Sequence, residues 1–283
     1  MASMAATRTM SGLLRSLPKR ARRLLRVAPR IEPGREATSF RCNICNAHCR
    51  VEIEAISRET PSCYYCGSTV RFRAIVHLLT KELFGRSIAL SDLPRRKDLV
   101  GIGLSDSGPY ARRLARHFDY TNTYYHRKPR LDITDVPAGR AAACDFMICS
   151  DVFEHVAPPV SRAFANARRL LKPGGVLIFT APFTLAQDTV EHFPDLHDYR
   201  LLETARGWTL ENRTADGRLQ VYNDLVFHGG RGSTMEMRLF SRAGLEREFA
   251  AAGFVRVRVA AESCLEHGII WHGACSVPMV AYA

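Results

Sequence analysis

The stretch Asp98-Leu-Val-Gly-Ile-Gly103-Leu-Ser-Asp-Ser-Gly108 reads as a buried strand running into a glycine- and serine-rich loop. A helical pattern follows it, from about Tyr110 to Phe118. In an α/β protein such a junction is where a ligand approaches the backbone. Working outward, Tyr120 to His126 reads as a second strand and Asp145 to Cys149 as a third, more apolar one. A helix over about Pro159 to Leu171, a turn at Lys172-Pro-Gly-Gly175 and a strand from Val176 to Ala181 come next. A helix capped at Ser241 and stopped at Gly253 leads into a strand over Phe254 to Ala260, and Ser276 to Ala283 forms a terminal strand. This alternation predicts an α/β fold with a doubly wound parallel sheet and ligands at the carboxyl ends of its strands.

With 283 residues, 46% hydrophobic and 24% charged, the chain is long and apolar enough to bury a large core, and a disordered polymer is excluded. One α/β domain and a small accessory module fill this length. Apolar runs fall short of the roughly 18–20 residues a membrane span requires. The net charge of +12 invites a nucleic-acid reading, but it is unevenly spread. Residues 1–36 hold eight Arg and Lys19 against Glu32 and Glu36, so the leader alone carries +7 and the remainder only +5. Between Ser11 and Val27, Leu13, Leu14, Leu17, Ala21, Leu24 and Leu25 recur at helical spacing among basic residues, interrupted by Pro18. Residues 1–37 are expected to form a basic, partly disordered leader. An organellar transit peptide, a peripheral contact with an anionic membrane and a nucleic-acid arm are its alternative roles.

Nine cysteines in a chain of this size, with no secretory hydrophobic segment before a cleavage site, point to reduced thiols and a cytoplasmic protein. Cys42-Asn-Ile-Cys45 is followed, after 17 residues, by Cys63-Tyr-Tyr-Cys66, a spacing that suits a four-cysteine zinc ribbon. Val51 to Ala55 is expected to form the strand that closes it, and Gly67 suits the tight turn of a metal knuckle. With all four positions taken by Cys42, Cys45, Cys63 and Cys66, the zinc is structural; Cys49 is a spare thiol beside the site. Ser68 or Thr69 caps a helix whose Phe72, Val76, Leu79 and Leu83 share one face and which ends at Gly85, the element expected to dock the ribbon on the next domain. The domain limits are therefore 1–37 for the leader, 38–85 for the ribbon with its docking helix, and 86–283 for the α/β domain.

Leu131-Asp132-Ile-Thr-Asp-Val-Pro137, Ser150-Asp-Val-Phe-Glu-His-Val156 and Leu171-Lys-Pro-Gly-Gly-Val-Leu-Ile-Phe-Thr180 add to the glycine loop. On these segments the chain resembles the class I S-adenosylmethionine-dependent methyltransferases over about Lys97 to Ala283, with their Rossmann-like sheet. From about Cys42 onward it resembles a bacterial group of uncharacterised methyltransferases with an N-terminal zinc ribbon. The resemblance implies S-adenosylmethionine as cofactor. It places Gly101 and Gly103 against the methionine moiety, Asp132 at the adenine amino group, and Ser150 and Asp151 in the methyl-donor pocket. The chain departs from the usual Asp/Glu-x-Gly-x-Gly-x-Gly motif: Gly101 stands at the acidic position, and Ser105 and Ser107 at later glycines. Tyr125-His-Arg-Lys128 offers no ribose-binding carboxylate, and Asp106 is the candidate to reach the ligand instead.

An insertion at about 184–235 is far longer than an ordinary connection, and such loops shape substrate pockets. It contains Glu191, His192, His197 and His228, groups suited to taking a proton from an acceptor near neutral pH. Packing or capping within the loop explains His192 and His197 equally well. These histidines are not spaced as a helical pair and methyl transfer needs no metal, so a second metal is not expected. Asp216-Gly217 between Trp208–Asn212 and Leu219–Tyr222 predicts a hairpin, and Glu236 and Arg238, two apart on a strand, are expected to pair. The glycines of His228-Gly-Gly-Arg-Gly232 suit either a bend or a ligand backbone. Three functions compete: a methyltransferase for a small-molecule or glycan acceptor, one for RNA or protein that docks through the ribbon, Tyr64, Tyr65 and the basic arm, and a non-catalytic scaffold. The polar insertion and the only mildly basic main body favour the first. Oligomeric state is not encoded in any of these patterns.

Overall fold

A computed structural model describes residues 30–205, 207–228 and 234–283. The helical pattern of the leader, Ser11 to Val27, and the glycines at 229, 230 and 232 lie outside the described residues.

The chain begins with a hairpin, β1 (Ala37–Arg41) against β2 (His48–Glu52), whose turn carries Cys42 and Cys45. The closing strand comes earlier than its sequence suggests: Ile53–Ala55 leaves β2 as a 3-10 turn. The second cysteine pair leads into α1 (Val70–Phe84). Thr69 caps this helix by accepting from the Phe72 N–H, and Gly85 ends it at a φ of 71°, a left-handed conformation that glycine adopts without strain.

Strand β3 (Arg96–Leu104), α2 (Gly108–His117), β4 (Phe118–Thr123), β5 (Cys144–Ser150), α3 (Ser161–Leu170) and β6 (Leu171–Thr180) follow. The insertion contributes β7 (Phe183–Thr184), β8 (Val190–Glu191), β9 (Asp198–Thr204), β10 (Gly207–Arg213), β11 (Leu219–Tyr222), β12 (Phe227–His228) and β13 (Thr234–Met235). Then come β14 (Arg238–Ser241), α4 (Arg242–Ala251), β15 (Arg256–Val259) and β16 (Met279–Tyr282). The main sheet has the order β15-β16-β6-β5-β3-β4. Its central strands are parallel, but β16 runs antiparallel to both β6 and β15, so the expected all-parallel sheet is in fact mixed. The chain leaves β15 and, through residues 260–278, re-enters the sheet at that same end, Met279 lying opposite Val259, which reverses the last strand.

Alternation along the strands splits the core in two. Phe146 and Ile148 of β5 and Val176 and Ile178 of β6 face α1 and α2; Met147, Cys149, Leu177 and Phe179 face α3 and α4. The first face is continuous with the interior of the hairpin, through Phe40, Cys42, Ile44, Val51 and Ile56. Residues on either side of the expected limit at 85/86 thus share one apolar layer. The insertion has a small core of its own around Phe193, Leu210, Met235 and Met237, beside the predicted hairpin, which forms between β10 and β11.

On β3, Gly101 and Gly103 point into the first face. A Cβ on Gly101 would run into the Phe146 ring, and one on Gly103 into the Tyr120 hydroxyl and the Asp106 carboxylate. Overpacking a dense core costs about 1–3 kcal/mol. Gly101→Ala is therefore expected to lower unfolding free energy by that amount in denaturant titrations; an unchanged midpoint would mean that Phe146 can move aside.

Candidate functional site

Beyond the carboxyl ends of β3, β4 and β5 lies a cavity of about 610 Å³. One wall is Leu104, Ser105, Tyr124, His126 and Asp132; the other carries Asp151, His155, Tyr199, Met235 and Met237. The size falls within the ordinary range for small-molecule sites. Ser105, at a φ of 58°, holds the turn position where a glycine is customary. Its N–H donates to the Thr123 carbonyl at 2.7 Å, and Asn122 ties the next residue to β4 by accepting from the Asp106 N–H and donating to the Asp106 carbonyl. Asp132 lines the cavity, its carboxylate fixed by the Thr134 N–H at 2.9 Å and the Thr134 hydroxyl at 2.7 Å.

Several expected cofactor residues occupy other places. Gly101 and Gly103 are not at the cavity; close packing against Phe146 and Tyr120 accounts for both. Asp106 is also turned away: its carboxylate is buried and accepts from the Tyr110 and Tyr120 hydroxyls. The cavity wall after β4 is Tyr124, Tyr125, His126 and Arg127, with the Arg127 guanidinium 3.8 Å from the Tyr124 ring centroid. An aromatic and basic wall of this kind carries no periodic signal in a sequence.

Asp151 lines the cavity at a φ of 52° and is held from three sides. Arg58, on the loop between the two cysteine pairs, donates to both its oxygens at 2.7 and 3.0 Å; Arg71 of α1 lies 3.3 Å away; and the Thr180 hydroxyl donates at 2.8 Å. Arg71 also donates to the Ser150 hydroxyl. Burial alone would raise the Asp151 carboxyl, but the hydrogen bond from Arg58 and the charges of Arg58 and Arg71 outweigh it and hold the group below the usual carboxylate range. No local sequence pattern pairs either arginine with Asp151, which lies 93 residues from Arg58.

The insertion's candidate bases are largely engaged elsewhere. Glu191 pairs at 2.6 Å with Arg238, a fully buried side chain that also donates to the carbonyls of Phe153 and Val156. Glu236 does not pair with Arg238; it accepts from His192 at 2.9 Å and from His228 at 3.0 Å. The reason is register: Arg238 lies opposite Glu191 across β14 and β8, whereas Glu236 precedes that strand. His192 and Glu236 line a second cavity of about 410 Å³, and His197 is exposed. His155, which sequence reading passed over, lines the main cavity, with Nδ1 against the Met235 carbonyl at 2.8 Å. Burial lowers its pKa below the ordinary imidazole value. The neighbouring Glu154 is fully buried, and burial, then the charge of Asp151, push its carboxyl well up.

The four sulfurs of Cys42, Cys45, Cys63 and Cys66 lie within 4.8 Å of one another. Cys42–Cys66 at 3.7 Å and Cys45–Cys63 at 3.6 Å match the roughly 3.8 Å edge of a tetrahedron with metal–sulfur bonds of about 2.3 Å. Cys49 lies 3.6 Å from Cys63, and none of the nine cysteines is disulfide-bonded. No helix among the described residues is long and apolar enough to cross a membrane.

Burial raises the Asp106 carboxyl to about 7 against an ordinary 3.8, the two tyrosine hydroxyls only partly offsetting it. Between these values the folded state keeps a proton that the unfolded chain has released. The group's contribution to stability is thus greatest below pH ~4 and falls as pH rises toward ~7. In thermal melts, Asp106→Asn should gain on the native protein steadily from pH 4 to 7; a constant offset would show the carboxylate to be ionised throughout.

A sequence model described as "Methyltransferase domain" matches residues 78–259. No curated protein matches the sequence. Among solved structures, the chain is similar to a sugar N-methyltransferase from Streptoalloteichus sp ATCC 53650 at 15% identity, with 75% of this chain and 85% of that one covered and a TM-score of 0.42. It is similar to Burkholderia thailandensis 1,6-didemethyltoxoflavin-N1-methyltransferase at 14% identity, covering 74% and 76%, TM-score 0.40. An amino pentose methyltransferase from Micromonospora echinaspora gives 18% identity, 66% and 84%, and 0.37. The match from α1 to β15, over well more than half of its length, identifies the chain as a member of the methyltransferase-domain family.

Proposed function

We propose that the protein transfers a methyl group from S-adenosylmethionine to a small-molecule or glycan acceptor. The observation that carries this reading is a single cavity bounded on one side by the ends of β3 and β4 and on the other by the insertion, so that a donor and an acceptor can meet inside it. When bound, S-adenosylmethionine supplies an electrophilic methyl carbon on a sulfonium. Asp132 accepts from the adenine amino group, its own orientation set by Thr134. Tyr124, Tyr125 and His126 flank the nucleoside in place of a ribose-binding carboxylate, and the backbone at Ser105 supports the donor in place of the expected glycines. Asp151, kept ionised by Arg58 and Arg71, is fixed by them at the cavity wall, its charge balanced by theirs. Tyr199, Leu201, Met235 and Met237 exclude water and orient the acceptor, the alignment on which an in-line displacement depends.

The ribbon is structural in this reading, with one zinc ion held by Cys42, Cys45, Cys63 and Cys66. The four sulfurs stand at the separations that a single tetrahedral ion requires. Because Arg58 stands between the two cysteine pairs, the ribbon also fixes the charge on Asp151.

Two measurements test this. Calorimetric titration with S-adenosylmethionine should give saturable binding that Asp132→Ala weakens by about 1–3 kcal/mol, the cost of a lost hydrogen bond to a charged group; wild-type affinity in the folded variant would move the adenine elsewhere. Metal analysis should return one zinc per chain, and Cys45→Ser should lose it together with donor affinity. Zinc loss with undiminished donor binding would separate the ribbon from the site.

A further inference from the structure

We propose that Glu154, His155 and His228 bind a divalent cation at the acceptor side of the cavity, and that this cation activates an acceptor hydroxyl. The second part rests on the methyltransferase reading above.

Glu154 is fully buried and neither of its carboxylate oxygens has a hydrogen-bond partner. A carboxylate in that position is costly unless something supplies the missing positive charge. One ligand atom from each of Glu154, His155 and His228 lies within 4.8 Å of the other two, and His155 Nε2 is 3.8 Å from the Glu154 carboxylate. Both rings are anchored. His155 Nδ1 donates to the Met235 carbonyl at 2.8 Å, which leaves the Nε2 lone pair toward Glu154. His228 Nε2 meets the Glu236 carboxylate at 3.0 Å, and Glu236 is itself steadied by His192 at 2.9 Å. Partners of this kind, a carbonyl and a carboxylate behind the rings, are how proteins orient metal-binding imidazoles. The expectation of no second metal rested on the spacing of His192, His197 and His228; here the ligands come from a turn after β5 and from β12, which no local spacing reports.

Two imidazoles and one carboxylate suit a first-row divalent ion such as Mn²⁺, and three protein ligands leave roughly half of its coordination sites open. His155 lines the cavity, which puts one ligand of the site against the acceptor space. This selects a hydroxyl-bearing acceptor, and adjacent hydroxyls of a sugar would occupy two sites at once. On coordination the hydroxyl proton passes to water. The oxygen's electron pair then forms the bond to the methyl carbon while the carbon–sulfur bond breaks and its pair returns to sulfur. The products are a methyl ether, S-adenosylhomocysteine and one proton.

The test is a titration of the full chain, its zinc retained, with Mn²⁺ alone, following free Mn²⁺ by electron paramagnetic resonance. One saturable Mn²⁺ per chain is expected. Glu154→Gln, His155→Ala and His228→Ala should each weaken it at least tenfold, while His197→Ala matches the native protein. Absence of saturable binding at millimolar Mn²⁺, or equal affinity in folded variants, overturns the proposal; if Glu154→Gln fails to fold, His155→Ala and His228→Ala decide it. Calorimetry with S-adenosylmethionine on the same samples separates the two readings. Donor binding without Mn²⁺ overturns the cation site alone, and Mn²⁺ binding without the donor upholds that site and overturns the methyltransferase reading.

Discussion

Burial of α1 between the cysteine hairpin and the main sheet is the constraint from which the other features follow. Val70, Ile75, Val76, Leu78 and Leu79 are all buried, and full burial of a side chain of this size contributes about 1.5–3 kcal/mol. The sheet admits the layer because β3 presents glycine on that side, which leaves room for the Phe146 ring and for Tyr120. A lone two-stranded hairpin is at best marginally stable in water. Its Phe40, Ile44 and Val51 are buried in one layer with the helix and the sheet.

Charge crosses the same boundary in a few buried arginines. Arg73 is fully buried and donates to the carbonyls of Ser68, His267 and Gly268 and to the Ser62 hydroxyl, with its guanidinium over the Phe40 ring. Arg58 and Arg71 reach Asp151 from the ribbon side, and Arg238 does the equivalent work between the insertion and the turn after β5. Losing one partner from such a pair strands a charge, at about 3–5 kcal/mol. Each of these contacts therefore fixes the position of one module relative to the cavity.

Strands β3, β5 and β6 and the helix caps at Thr69 and Ser241 were legible in the sequence because they are local: alternation, a capping side chain and a stopping glycine report on neighbours a few residues away. The four clustered cysteines were legible for the same reason. The site was less so. Gly101 and Gly103 look like ligand-approach residues, and only the positions of Phe146 and Tyr120 reveal their packing role. Arg58 and Asp151 are 93 residues apart, Glu191 and Arg238 are 47 apart, and His155 meets the Met235 carbonyl across 80. Pairings at such separations leave no periodicity, so Glu191 was read as a base and His155 was overlooked.

The bonds from Arg73 to residues 267 and 268 also set an order of events during synthesis. They join parts of the chain about 194 residues apart, so the native layer around the cysteines cannot close until residues 267 and 268 have left the ribosome. At typical elongation rates of about 5–20 residues per second, that interval is roughly 10–40 s. During it the two cysteine pairs and the apolar face of α1 stand without their final cover. Early capture of a metal by the thiolates would tether both knuckles and shield them from oxidation until the last strands arrive.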